Sequence, residues 1–186
     1  MNLKPRIQTT TKLEAAEAQL TTAIKLFFES GNEIAIHTLT QAAHEILDRL
    51  CVSKKVGRGV IHEGLDRVRP ELRKKILGKV NEAKNYFKHA RSDSGKNLFW
   101  NPKVSEYIIW DSTRLHGLLV GTQKIPEIII YMLWFRLHHD DMWTEADGEA
   151  ASLDVLLPDA RSELGHLSKE DFFKISMSAL RKEGFR

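Results

Sequence analysis

Lys84, Asn85 and His89 are the residues of this chain whose types and spacing best suit a reaction. On a helix, Asn85 and His89 stand one turn apart, with Lys84 and Lys88 on the same polar side. Histidine exchanges a proton near neutral pH, so His89 suits a general acid or base. Lys84 or Lys88 would offset charge on a phosphoryl oxygen, and Asn85 would orient a hydroxyl or the imidazole. The chemistry served by such a set is phosphate handling. A solvated helix face is the competing reading. At about 100° per residue, Val80, Ala83, Tyr86, Phe87 and Ala90 fall on one side, and Asn81, Lys84, Asn85, Lys88 and His89 on the other. Lys84 and His89 stand about 140° apart, at the edges of that arc, so one helix does not easily converge both on one atom. Two copies across a two-fold axis would.

These residues close a basic stretch. Ser53 to Arg91 holds 12 Lys or Arg against 4 Asp or Glu, while His138 to Phe172 holds 10 Asp or Glu against 2 Lys or Arg. Lys75, Lys79, Lys88 and Arg91 are the expected contacts for RNA phosphates or for a protein partner. Docking of the acidic stretch on the basic one, within the chain or across a dimer, accounts for the same asymmetry.

Asp111 is the most informative misfit. Val104, Ile108, Leu115, Leu118 and Leu119 make an apolar stripe, and Asp111 falls inside it. A carboxylate there costs several kcal/mol unless paired. It is expected to bond a His, an Arg or a backbone group inside the bundle, or to orient His37 or His89; the alternative is a helix only shallowly buried at that point. His37 and His44 read as lying on the polar side of their helix, seven apart, with Gln41 between them and Asp48 beyond. That spacing is too long for two ligands of one metal, so His37 is taken as a structural polar residue. His138 and His139, followed by two Asp residues, read as a capped helix end. There is no Gly-rich phosphate loop, no CxxC and no HExxH. Nucleotide hydrolysis and zinc chemistry therefore have no support, and neither metal nor cofactor is called for.

The elements that must position these residues are helical throughout. Thr11 and Glu14 have capping-box spacing before a helix over about Lys12 to Glu29. Asn32 suits the N-cap of a second, over about Glu33 to Leu50, which should pack antiparallel to the first. Lys54 to Arg69 is a connector with at most a short helical turn. Pro70 opens a third helix running to about Ala90. A loop to Pro102 precedes a fourth helix ending at Gly121, and Pro126 opens a fifth, to about Leu137. The run IIIYMLWF makes the fifth helix apolar all round, so it must be enclosed or buried against a second subunit, with partial exposure used for dimerisation expected. Ser168 suits the cap of a last helix. The fold class is an all-α antiparallel bundle of five to six helices. Residues 1–139 form the bundle domain, and 140–186 an acidic connector with a C-terminal helix.

At 186 residues, 42% hydrophobic and 28% charged, the chain is of ordinary globular composition and long enough for a sizeable core. Cys51 is its one cysteine, which excludes an intrachain disulfide and suits a reducing, cytoplasmic setting. The first 20 residues lack the apolar core of a signal peptide, and no run is long enough to span a bilayer, so no membrane partner is expected.

The stretch KNYFKH, Lys84 to His89, resembles the signature of HEPN domains. That signature is an Arg, usually followed by Asn, Asp or His, with a His four to six residues later near a helix end. A long antiparallel first pair followed by shorter helices, over about Leu13 to Leu137, resembles the same family. AIHTLTQAAHEIL and NYFKHARSD are also similar to stretches of a broad group of uncharacterised bacterial proteins. The resemblance implies an all-α homodimer in which motifs from two subunits meet, and, in active members, metal-independent RNA cleavage. The ribose 2′-hydroxyl attacks the adjacent phosphate and leaves a cyclic phosphate. His89 would be the acid or base, Asn85 would position, and Lys84 would stand where the family has Arg. Arg offers a planar, bidentate fork, whereas Lys is a mobile point charge. That departure favours a binding or regulatory module, contacting RNA or a protein, over a ribonuclease. A purely structural, assembly protein is the other class.

Overall fold

The side chains of Thr11, Asn32 and Ser168 cap the starts of three of the helices. In this computed structural model, which describes residues 7–65, 69–89, 95–139 and 157–185 (157–160 by backbone alone), Thr11 and Glu14 cap one another. The Glu14 N–H donates to Thr11 Oγ1 at 3.2 Å and the Thr11 N–H to Glu14 Oε2 at 2.7 Å. Helix α1, Lys12–Phe28, follows. A turn through Ser30 and Gly31 reverses the chain. Asn32 Oδ1 then accepts from the Ala35 N–H at 3.0 Å to open α2, Glu33–Lys54. So short a link leaves the two helices antiparallel.

The connector contains one short helix, α3, Val60–Leu65. The expected single helix from Pro70 to Ala90 is two: α4, Pro70–Val80, and α5, Glu82–Lys88. They part at Asn81, whose φ of −91° and ψ of 2° leave the helical region. Its side-chain Nδ2 donates to the Leu77 carbonyl at 2.9 Å, a local bond that competes with the helix ladder. Helix α6, Val104–Val120, stops at Gly121, where a φ of 75° suits glycine. Helix α7, Pro126–His138, follows Ile125. Helix α8, Leu157–Leu164, was not expected from the acidic sequence around it. Ser168 Oγ accepts from the Asp171 N–H at 3.1 Å and opens α9, Lys169–Lys182. No strand occurs among the described residues.

One core joins α1, α2, α6, α7 and α9. Leu20, Ile24, Phe28, Ile36, Leu47, Ile109, Leu115, Tyr131 and Phe135 are essentially fully buried, and the C-terminal helix adds Phe172 to the same cluster. Each such side chain contributes about 1.5–3 kcal/mol on burial. Helix α7 is apolar all round because α1, α6 and α9 each pack on it. Met132, at 43% exposure, is its one large apolar side chain left to solvent.

Helices α2 and α6 run in the same direction. His37 meets Ser105, His44 meets Asp111, and Cys51 meets the Leu115 carbonyl, so positions advance together along both. The three α2 residues are seven apart, so they share one face.

Candidate nucleic-acid interface

Helix α4 buries none of its residues. Leu72 and Ile76 remain 39% and 38% exposed, a position normally unfavourable for an aliphatic stripe. Around them Arg69, Lys74, Lys75 and Lys79 are exposed. Lys79 pairs with Glu82 at 3.0 Å and Arg69 approaches Glu71 at 3.8 Å. Lys74 and Lys75 make no ion pair among the described residues.

Helix α5 is held by its other side. The Phe87 ring packs edge-on to His37 and to Trp100, at 5.9 and 5.1 Å between centroids. Tyr86 Oη donates to the Lys96 carbonyl at 2.5 Å. The polar arc that should include Lys84 is divided by this docking. Lys84 turns onto α2, where Nζ bonds Glu45 Oε2 at 2.7 Å with the lysine mostly buried. The Lys84 hydrogen bond and charge hold the Glu45 carboxyl below its ordinary range, aided by Lys88 and Arg49. Asn85, Lys88 and His89 are exposed. His89 has left the helix, with extended φ and ψ of −133° and 118°, and its N–H still reaches the Asn85 carbonyl at 3.1 Å. Arg91 lies outside the described residues, as does the acidic run 140–156.

Behind α5 lies the polar seam between α2 and α6. His37 was expected on a polar face, but it is 1% exposed, because that face of α2 meets α6 and α5 rather than water. His37 Nδ1 and Ser105 Oγ share a hydrogen bond at 3.0 Å, while Nε2 is buried with no partner among the described residues. Burial lowers the imidazole from 6.5 to about 4, so it is neutral at pH 7.

Asp111 is buried with three partners. Oδ2 accepts from His44 Nε2 at 2.8 Å and from the Val60 N–H at 3.0 Å, and Oδ1 lies 2.9 Å from Arg114 Nη2. Burial pushes this carboxyl up. The His44 hydrogen bond and charge, with Arg114 and the Val60 N–H, outweigh it and hold the group below 3.8. Arg114 also donates to the Arg58 carbonyl at 2.6 Å, and the Gly59 N–H donates to Asp48 Oδ1 at 2.6 Å. The set clamps the start of α3 onto α2 and α6. His44 and Arg114 had not been singled out as its members. The signal available was the seven-residue step from His37 to His44, matched by the six from Ser105 to Asp111.

A second buried histidine, His116, shares a hydrogen bond with Glu17 through Nε2 at 2.9 Å, and its Nδ1 accepts from Gln123 Nε2 at 2.9 Å. It ties α6 to α1. No group of three or more His, Cys, Asp or Glu side chains among the described residues could hold a metal ion. No helix among them is long and apolar enough to cross a membrane. Compared with protein-family models, curated proteins and solved structures, the chain matches none.

Proposed function

We propose that this chain is a HEPN-like binding module whose α4–α5 surface contacts RNA. The observation that carries the reading is α4, which buries none of its residues and whose exposed Lys74 and Lys75 make no ion pair among the described residues. Like charges gathered on one short helix repel one another, and nucleic-acid phosphates relieve that repulsion with release of counterions. Lys79, Lys88 and Arg69 extend the same surface. Fluorescence anisotropy with a labelled RNA, read across a salt titration, tests it. Affinity should fall steeply with salt, and Lys74→Glu with Lys75→Glu should weaken binding and flatten the salt slope by roughly 1–2. No binding at low ionic strength would transfer this surface to a protein partner.

Metal-independent cleavage at His89 is the second reading, favoured by the exposure of His89 beside Asn85 and Lys88. Lys84, bonded to Glu45, weighs against it. Cleavage of this kind would require two copies to pair. RNA left intact in EDTA by wild type, and equally by Lys84→Arg, excludes it. Cleavage abolished by His89→Ala in a folded protein supports it.

A further inference from the structure

Phe99 is 95% exposed, the most exposed large apolar side chain among the described residues. It does not hang from a slack loop. Three residues before it, the Lys96 carbonyl accepts from Tyr86 Oη at 2.5 Å. One residue after it, the Trp100 ring packs on Phe87 and on His37, each at 5.1 Å between centroids. Just beyond, Asn101 Oδ1 accepts from the Lys103 N–H at 3.0 Å and turns the chain into α6. Lys96 and Trp100 are thus fastened to Tyr86 and Phe87 of α5, the helix that carries Asn85 and Lys88, and Trp100 also to His37 of α2. The loop therefore presents a bare aromatic ring from a fixed footing on the helix that carries exposed Lys88, with Lys96 also exposed.

We propose that Phe99 is a base-stacking platform, and that the RNA taken by the α4–α5 surface is single-stranded; this rests on the RNA-binding reading above. An exposed ring beside a cationic track is the combination that holds single strands, with charges following the backbone and the ring accepting a base on its face. An A-form duplex offers no such base. Its bases are stacked on one another and its major groove is too deep and narrow for a side chain to enter. Stacking tolerates any base, so the preference is for strandedness rather than sequence. Exposed Asn85 on α5 and exposed His89 just past its end would meet the sugar–phosphate chain flanking the stacked base.

The test compares a 12-nucleotide RNA, the same strand carrying abasic sites, and a 12-base-pair RNA duplex, by anisotropy at low salt. Wild type, Phe99→Ala and Phe99→Trp are the proteins, with circular dichroism to verify folding. Phe99→Ala should weaken single-strand binding roughly 5- to 150-fold and leave the salt slope unchanged, whereas Phe99→Trp should retain affinity. The abasic strand should bind wild type as weakly as the intact strand binds Phe99→Ala. Unchanged single-strand affinity in Phe99→Ala, or an equal loss on strand and duplex, overturns the stacking role while leaving the RNA surface standing. Wild type that binds neither strand nor duplex overturns both. If a protein partner instead captures wild type and not Phe99→Ala, with RNA affinity equal in the two, the ring is a protein anchor and the inference fails.

Discussion

Nε2 of His44 lies 2.8 Å from Oδ2 of Asp111, across 67 residues of chain. The pair bridges two helices that run in parallel, and the Val60 N–H completes it from α3. It fixes the start of α3 against α2 and α6.

Removing Asp111 orphans His44 and the Val60 N–H together and takes a carboxylate from Arg114, which keeps the Arg58 carbonyl. Asp111→Ala should destabilise the fold by about 3–5 kcal/mol, the range for breaking a buried charged pair from one side. His44→Ala should cost less, because Arg114 still meets the carboxylate. Chemical denaturation of both single variants and the double variant measures the coupling, expected at about 0.5–3 kcal/mol. Additive losses would show that the pair is not coupled.

Gly59 should resist substitution for a steric reason. A Cβ there would meet His44 Cε1 at 3.0 Å and Asp111 Oδ2 at 3.1 Å. Gly59→Ala should cost about 1–3 kcal/mol by pressing on this pair. Gly78→Ala is the control. A Cβ at that position in α4 meets nothing within 4 Å, so the change should stabilise by about 0.5–1 kcal/mol. Thermal melts of the two variants should move in opposite directions.

His37 predicts a pH dependence. Its folded-state value of about 4 lies below the ordinary 6.5, so the unfolded chain binds more protons between those values. Stability is therefore full above pH 6.5 and declines as pH falls from 6.5 to about 4. That drop corresponds to roughly 3 kcal/mol. His37→Gln should flatten this part of the profile in urea titrations. Asp111, held low by its partners, is lost later, as pH falls below 3.8. A wild-type profile flat from 6.5 to 4 would show that His37 is not the titrating group.

Lys84 is held by Glu45, and Glu45 is the more exposed of the two. Glu45→Gln should therefore free an ammonium at the edge of the proposed RNA surface. Affinity should rise, and the single-strand salt slope should steepen by about 0.7, one added phosphate contact. The cost to stability should stay under about 1 kcal/mol, as for other pairs with an exposed partner.

What could be read from sequence was local. Thr11, Asn32 and Ser168 cap through bonds to residues three positions on, and Pro70, Pro126 and Gly121 act through their own backbones. These marks do not depend on the rest of the fold. Asp111 was conspicuous because it breaks an apolar stripe. Its partner was far less so, since the one mark of His44 is its seven-residue step from His37, set against the six from Ser105 to Asp111. Lys84 read as part of a wet arc because its Glu45 partner sits on a helix nearly 40 residues earlier. The break at Asn81 depends on one side chain bonding Leu77, a choice that propensity does not reveal. Helix α8 is obscured by acidic residues that also suit a loop.

Parallel packing of α2 and α6 has an electrostatic consequence. Both helices end at the same place, so two negative dipole ends lie side by side. The last turn of α6 carries no basic residue. Lys54 and Lys55 close α2, and the connector returns past Leu118, against which a Cβ at Gly57 would press at 2.8 Å. Lys54 and Lys55 offset the α2 carbonyl end by about 0.3–1 kcal/mol each. The basic block thus divides into two parts. Lys54 and Lys55 close α2, while Lys74, Lys75 and Lys88 lie exposed on α4 and α5, where the proposed ligand would meet them.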